Sequence, residues 1–388
     1  MKLFANVEVF EKPVNFDEHW YEDKEFGASL LCVRRPLIKL QFAAPVNLTA
    51  PSLRSRSRVA TTGRRYNSAI AGLMLGNTNT PAAAIRLLHL NLARLRSLRE
   101  NVNWEIEKER LELLDRLEIL FIGWMSQLPN LQEIFQKGEI DRLLSDSVSH
   151  VRYRSLCQTK LFVEFVAETG YKNEPDADEG GKIWSRCTTA VHRVAQHPGL
   201  LKYIILDELF KIFNRFDVNY TDKSGLSHFH VACKFDIYHV VRKFLEAGQD
   251  PNCRWQKTGD SPLHLALAQG CCFLSELLLK NGADPNVANT AGLTPLHIIS
   301  MRKNCLDFAK MLFELSDPKY QPLQVNVLDK YNQTPLYKAL LRGHRKLVEF
   351  LLRRGANPHL ANVARLTPLH AICGGKRDDY SLAKMLRA

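Results

Sequence analysis

The phrase "GADPNVANTAGLTPLH" at residues 282–297 returns almost intact, 73 residues later, as "GANPHLANVARLTPLH" at 355–370. A phrase repeated at a fixed offset constrains a fold more than composition does, because a copied segment implies a copied structural unit. Alignment on its last four letters gives six anchors: "TAVH" (189–192), "SHFH" (227–230), "SPLH" (261–264), "TPLH" (294–297), "TPLY" (334–337) and "TPLH" (367–370). Their final residues lie 38, 34, 33, 40 and 33 apart. The 73-residue offset also separates His264 from Tyr337, and "AKML" at 309–312 reappears at 383–386, so the array reads as a duplicated block of two units.

The copy from Asp329 to Ala361 shows what one unit is. Thr334 is an N-cap whose hydroxyl can accept from a free N–H of the first turn. Pro335 follows at the first helical position, where its missing N–H costs nothing. Leu336, Ala339 and Leu340 share one helical face, and Gly343 closes the short helix. A second helix sets Leu347, Val348, Leu351 and Leu352 in a broad apolar stripe. Gly355 ends it and "ANPH" turns the chain outward, as Gly282 and Gly248 do in their copies. Polar tips such as "NTAG" and "DKYN" suit tight turns between units. Two short helices cannot cover such a stripe alone, whereas stacked copies bury it on both sides.

A period near 33 with this tetrapeptide resembles the ankyrin repeat, and the resemblance covers roughly residues 180–388. The wording "VNYTDKSGLSHFHVACK" is similar to ankyrin proteins multiplied in insect genomes. The resemblance implies an all-α fold, an ankyrin-repeat solenoid of helix–turn–helix units with short β-turn tips, preceded by a helical region and a disordered N-terminal segment. The expected organisation is a largely disordered 1–84, Arg-rich over 26–84; an amphipathic helical region at 85–150; a degenerate repeat or cap with an acidic loop at 151–187; and an array of about six repeats at 188–388. "SDPKYQPLQVNV" is an insertion expected to form a loop on one face. "TAVH" lacks its proline, as a terminal copy would, and the last copy stops at Ala388 inside its second helix, so the C-terminus reads as clipped.

The family likeness further implies that the anchor histidines hydrogen-bond backbone near neighbouring tips. His192, His230, His264, His297 and His370 are therefore read as structural, with Thr294, Pro295, Thr334, Pro335, Gly282 and Gly355. Tyr337 breaks the series, and its bond must be replaced or lost.

The net charge of +12 is concentrated. Phe26 to Arg99 holds twelve Lys and Arg and no acid, and the remainder balances at 41 of each sign. The first 25 residues hold seven acids against three lysines, unlike a secretory signal or transit peptide. No apolar run approaches the ~18 residues of a spanning helix. Nine cysteines without a CxxC pair read as reduced thiols, hence a cytoplasmic protein with the nucleus as the other compartment. From Ala82 the text is rich in Leu, Arg and Glu. Leu88, Leu92 and Leu95 share one stripe, and Leu113, Leu117 and Leu120 another. The heptad is not sustained, which favours a helical cap on the array over an oligomerising coiled coil, and a monomer is expected. Residues 160–181 read as an outer helix ending at Gly170 and then an acidic loop.

His228, His230 and Cys233 spell H-x-H-x-x-C, but the alignment makes His230 an anchor and Cys233 a small inner-helix residue, and no fourth ligand stands at a persuasive spacing. No metal and no cofactor are expected. The vicinal Cys271–Cys272 has no base or partner in view for redox chemistry. Phosphate-loop, dinucleotide and nucleophile-elbow motifs do not occur, so the expectation is a non-enzymatic adaptor or scaffold for a protein partner. In the ankyrin family the concave face binds partners. Its variable positions here are Lys223, Trp255, Gln256, Lys257, Thr290, Lys330, Tyr331 and Arg365 at the tips, and Lys234, Phe235, Gln269, Met301, Arg302, Leu341 and Arg342 on the inner helices. Trp255 and Tyr331 lead, as large aromatics at exposed tips. The alternatives are a substrate receptor of a ubiquitin-ligase assembly and nucleic-acid binding by residues 26–99. The latter segment lacks interleaved aromatics for stacking and reads better as a solvated linker.

Overall fold

The computed structural model describes residues 81–122, 124, 128–150, 156–175, 185–197 and 201–373. The Arg-rich text before residue 81, the acidic loop over 176–184 and the last copy beyond 373 lie outside them. The described residues carry fifteen α-helices: α1 Pro81–Glu100, α2 Glu107–Ile122, α3 Glu139–Ser149, α4 Leu156–Glu168, α5 Ala190–Gln196, α6 Leu201–Ile212, α7 His228–Lys234, α8 Tyr238–Glu246, α9 Pro262–Gln269, α10 Cys272–Lys280, α11 Pro295–Ser300, α12 Cys305–Leu315, α13 Pro335–Leu341, α14 Arg345–Arg353 and α15 Pro368–Cys373. The β pairing found among them is one isolated bridge, Thr221–Ser227. The described residues form an all-α solenoid.

From α5 onward the inner helices start at the anchors. Ser227, Ser261, Thr294 and Thr334 are extended N-caps, and proline takes the first turn of α9, α11 and α13. Each inner helix packs on the next, α5 on α7 and so on to α15, and outer helices α8, α10, α12 and α14 pack in sequence behind them. Burial follows the expected stripes. Leu336, Ala339 and Leu340 of α13 and Leu347, Val348 and Leu351 of α14 are all buried, while Leu352 is half-covered. Phe229 and Phe244 are fully enclosed between α7 and α8 with their rings 5.5 Å apart.

Two hydrogen-bonded seams run across the stack. At the tips, one backbone bond joins each turn to the one before: Lys257 N–H to Ser224 O (3.2 Å), Thr290 to Thr258 (3.0 Å), Lys330 to Ala291 (3.0 Å) and Val363 to Tyr331 (3.1 Å). At the far end of the outer helices, the asparagine of each "DPN"-type turn clasps the next unit. Asn252 Nδ2 donates to Gly282 O and its Oδ1 accepts from Asp284 N; Asn326 repeats this with Gly355 and Asn357. Between these two lies the insertion, which forms a loop with a single 3-10 turn at Pro318–Tyr320. Asn286 still reaches across it, donating to Tyr320 O and accepting from Gln324 N, both at 2.9 Å. The loop leaves the clasp in place and merely changes the residues it holds.

The N-terminal helices join the same stack. α3 packs on α5, and α4 on α6, so α3 and α4 form a helix pair without the anchor text; the division expected at residue 150 falls between its two helices. α2 packs on α1, α3 and α4, burying Leu113, Leu117 and Leu120, with Leu95 of α1 also enclosed. Phe121 stacks on Phe165 of α4. Arg99 grips Glu139 through two 3.0 Å bonds, and Arg110 reaches Asp146 at 2.6 Å. The leucine stripe of α2 is thus covered within the chain, whereas in the α1 stripe Leu95 is enclosed and Leu88 and Leu92 are half-buried.

The tip turns need a left-handed residue. Gly225, Gly259 and Gly292 supply it, and a Cβ on Gly292 would sit 2.8 Å from Asp329 Cα in the next tip. Asn332 and Arg365 take the same position with φ of 54° and 59°. Asparagine tolerates that region, whereas a long side chain pays ~1–2 kcal/mol for it. Gly292→Ala should therefore cost about 2 kcal/mol in urea unfolding, from backbone strain and the strained inter-tip bond. Arg365→Gly should strengthen hydrogen-exchange protection of the α15 unit by about 0.5–1 kcal/mol, the strain relief less glycine's extra unfolded-state entropy. Equal effects of the two substitutions would contradict this account.

Candidate interaction face

The anchor histidine organises each unit. In α11, Thr294 N–H donates to His297 Nδ1 at 3.1 Å, and the ring's Nε2 lies 3.0 Å from Gln333 O in the following tip. His264 repeats this with Ser261 N and Leu293 O (3.2 and 2.9 Å), and His230 with Ser227 N and Cys253 O (3.3 and 3.2 Å). A ring that accepts at Nδ1 and faces a carbonyl at Nε2 carries its single proton on Nε2 and is neutral. Burial disfavours the charged form and holds His192, His230 and His297 down to about 4. His370 keeps the intra-unit bond from Thr367 N at 3.2 Å. Tyr337 has its bond replaced: its hydroxyl accepts from Asn362 Nδ2 in the next tip at 3.1 Å.

The tips are rigid for a second reason. Asp222 Oδ1 accepts from Ser224 N and Leu226 N, Asn289 Oδ1 from Ala291 N and Leu293 N, Asp329 Oδ1 from Tyr331 N and Gln333 N, and Asn362 Oδ1 from Ala364 N and Leu366 N. Such Asx turns fix the backbone with a side chain. Lys338 adds an ion pair to buried Asp329 at 2.8 Å. The variable side chains beside these turns therefore project from a fixed frame.

Of the fifteen variable positions, Lys223, Gln256, Lys257, Thr290, Lys330, Tyr331, Leu341, Arg342 and Arg365 are exposed, and Phe235, Trp255, Gln269, Met301 and Arg302 are half-buried. Lys234 departs from expectation, with only 7% of its surface exposed. Trp255 is not a free tip aromatic. Its indole N–H donates to Ser224 Oγ of the preceding tip at 3.0 Å, and its ring packs against the core and under Lys234. Arg302 reaches back to Ala268 O, against Gly270. Tyr331 is 43% exposed with the Lys330 ammonium 4.9 Å from its ring centre. The alignment missed Lys202 and Tyr203, which lie at the start of outer helix α6 yet adjoin Phe235. Repeat alignment marks variable positions at tips and on inner helices, so it gives no signal for residues of an outer helix.

A cleft of about 630 Å³ opens beside α3 and residues 185–190. Its charged lining is largely tied up internally: Arg110 to Asp146, Arg142 to Glu105 (3.0 Å), Asn173 Nδ2 to Asp141 (2.7 Å) and Arg193 to Ser149 Oγ (2.8 Å). The H-x-H-x-x-C residues do not converge. His228 Nε2 meets Thr189 Oγ1 at 2.7 Å, His230 serves its cap, and Cys233 is wholly buried. Among the described residues no group of three or more His, Cys, Asp and Glu could hold a metal ion, and no helix is long and apolar enough to cross a membrane.

Residues 190–289 and 272–362 match the family model of ankyrin repeats. Over 207 residues the chain is 27% identical to a palmitoyltransferase of Lachancea kluyveri, covering 53% of this chain and 27% of that protein. It is 29% identical to a putative ankyrin repeat protein of fowlpox virus over 162 residues, 35% of this chain and 86% of the relative. It is 37% identical to cyclin-dependent kinase 4 inhibitor B of Bos taurus over 113 residues, 29% of this chain and 79% of the relative.

Neutral buried imidazoles make the stack acid-sensitive. Their folded pKa near 4 lies below the ordinary 6.5, so the unfolded chain binds protons first; stability is full above about pH 6.5 and falls as pH drops from there toward 4. At pH 5 each of the three should have lost roughly 2 kcal/mol. Urea unfolding at pH 7.5 and 5.0 measures the loss. His297→Tyr, which follows the natural choice at Tyr337, should reduce the pH-dependent part by one such increment, and an unchanged pH dependence would refute the neutral-imidazole assignment.

Proposed function

The chain belongs to the ankyrin-repeat family, and from that premise we propose that it is a non-enzymatic protein-interaction scaffold that binds a partner protein on its inner-helix and tip face. The observation that carries this reading is a contrast within each unit. The cap, the anchor and the Asx turn recur with near-identical hydrogen bonds, yet the residues four and five beyond the anchor are Lys234–Phe235, Ala268–Gln269, Met301–Arg302 and Leu341–Arg342. Fixed framework beside freely varied neighbours is the layout of a recognition surface.

The working body runs from residue 81 to the C-terminal repeats, with 1–80 as an appended basic segment, and it acts as a monomer whose specificity residues are the fifteen variable positions. The described cysteines carry free thiols, consistent with action in a reducing compartment, the cytoplasm or the nucleus.

Tagged full-length chain should be purified from native cells and its co-purifying proteins identified by mass spectrometry. Trp255→Ala, Tyr331→Ala and Arg342→Ala together should remove the specific partner. Because Trp255 also braces a tip, the exposed pair Tyr331→Ala with Arg342→Glu serves as the second variant; it should lose at least tenfold in affinity with an unchanged circular dichroism spectrum. A partner retained at full strength by both variants would place recognition elsewhere on the chain.

A further inference from the structure

Three lysines and three aromatic rings from successive units form one continuous row. Lys202 and Tyr203 open α6, Lys234 and Phe235 close α7, and Trp255 and Lys257 stand in the next tip. The Lys202 ammonium lies 5.6 Å from the Tyr203 ring centre and 5.4 Å from that of Phe235; Lys234 lies 5.5 Å from Phe235 and 5.7 Å from Trp255. Tyr203 meets Phe235 edge to face at 5.8 Å. From Tyr203 to Trp255 lysine alternates with ring, and Lys257 lies near enough to act on Lys234 as a like charge.

The row has an excess of positive charge at its most desolvated point. Lys234 is nearly enclosed, Lys202 and Lys257 act on it as like charges, and Asp260 is the carboxylate that favours its charge. Asp260 is shared, since its Oδ1 also accepts from Asn289 Nδ2 at 2.8 Å. Burial, the largest cause, brings the ammonium down to about 7. A buried cation beside two more cations is a cost to the folded chain that an arriving anion relieves.

We propose that this row is the docking point for an acidic segment of the partner protein, with carboxylates meeting Lys202, Lys234 and Lys257 and aliphatic stems lying along the ring edges. The proposal rests on reading this face as an interaction surface. Charge complementarity alone would also admit a nucleic acid, but bases need free ring faces on which to stack. Here lysine ammoniums already lie over the rings of Tyr203, Phe235 and Trp255, and the Trp255 indole N–H is held by Ser224. What the surface offers is cationic heads fringed with hydrocarbon, which suits carboxylates on an extended peptide.

The test selects a phage-displayed random peptide library on the immobilised full chain and measures the selected peptides by fluorescence anisotropy, beside a mixed-sequence single-stranded RNA. The expected result is enrichment of Asp and Glu, RNA binding at least tenfold weaker than the best peptide, and a loss of at least tenfold in peptide affinity for Lys202→Gln with Lys257→Gln and for Lys234→Met. Lys234→Met should also melt a few degrees higher, since it removes a buried charge from between two rings, so binding and stability move in opposite directions. Selected peptides without acidic enrichment, no binder at all, RNA bound as tightly as peptide, or peptide affinity unchanged in these variants would each overturn the proposal. So would a Lys234→Met variant that melts lower and binds normally, which would make the lysine a structural residue. None of these failures touches the broader interaction-face reading, which partner capture by the Tyr331 and Arg342 variants tests separately.

Discussion

The imidazole at the anchor position is where the solenoid's local and long-range order meet. One nitrogen accepts from the N–H of the cap residue and so fixes the first turn of its own helix. The other donates to a carbonyl of the following tip and so fixes the next unit. Both bonds require the same neutral tautomer, and burial between units keeps the ring in it. A helix of six or seven residues is too short to persist alone in water. It persists here because its start is tied to a neighbour whose own start is tied to the next. The tip seam and the asparagine clasp repeat that logic at two other heights of the stack, so a contact such as that between the Ser261 and Thr294 units is held at three points along its length.

Such a design separates what must stay from what can vary. The hydrogen bonds that recur from unit to unit come from backbone, cap, imidazole and Asx side chains, and single bonds such as Trp255 to Ser224 and Arg302 to Ala268 are added to them. The residues between anchor and outer helix touch none of these seams by obligation. Tyr337 shows how far the rule bends: a phenol can stand in for the imidazole because Asn362 turns its amide toward the hydroxyl. The insertion after α12 shows the same tolerance in length. The twelve residues from Ser316 to Val327 leave the stack intact because the Asn286 clasp finds other backbone groups at the same place. Loop entropy grows slowly with length, so the cost of such an insertion is set by whether the clasp survives.

The array was legible from the sequence because its determinants are local: a hydroxyl cap, proline after it, histidine two residues on, glycine at the turn. The α3–α4 pair was not, although it stacks in the same way. Its start uses Gly138 in a left-handed conformation and Glu139, whose carboxylate accepts from Gln136 N and from Arg99 forty residues earlier. An ion pair across helices serves where the later units use an imidazole, and no short motif announces it. The candidate face was legible only in outline. Repeat alignment finds positions that vary, but not how deep they sit. Trp255 was expected at an exposed tip and is half-covered because Ser224 of the preceding tip takes its N–H. Arg365 reads as a recognition residue from its place in a tip, yet its backbone occupies the left-handed site that glycine fills in three other units.

In the proposed docking, depth sets Lys234 apart from the exposed lysines near it. A fully solvated ammonium is screened and mobile, and an ion pair formed there contributes little. Lys234 is enclosed by rings, and burial brings it down to about 7, so an arriving carboxylate favours its protonated form as well as pairing with it. A carboxylate that reaches it meets an amine whose side chain is already enclosed on folding. The same enclosure that lowers the stability of the free stack at this point raises the differential value of the correct partner charge there, and makes an apolar or cationic partner residue correspondingly unwelcome. The framework can carry that local penalty because its seams do not pass through Lys234.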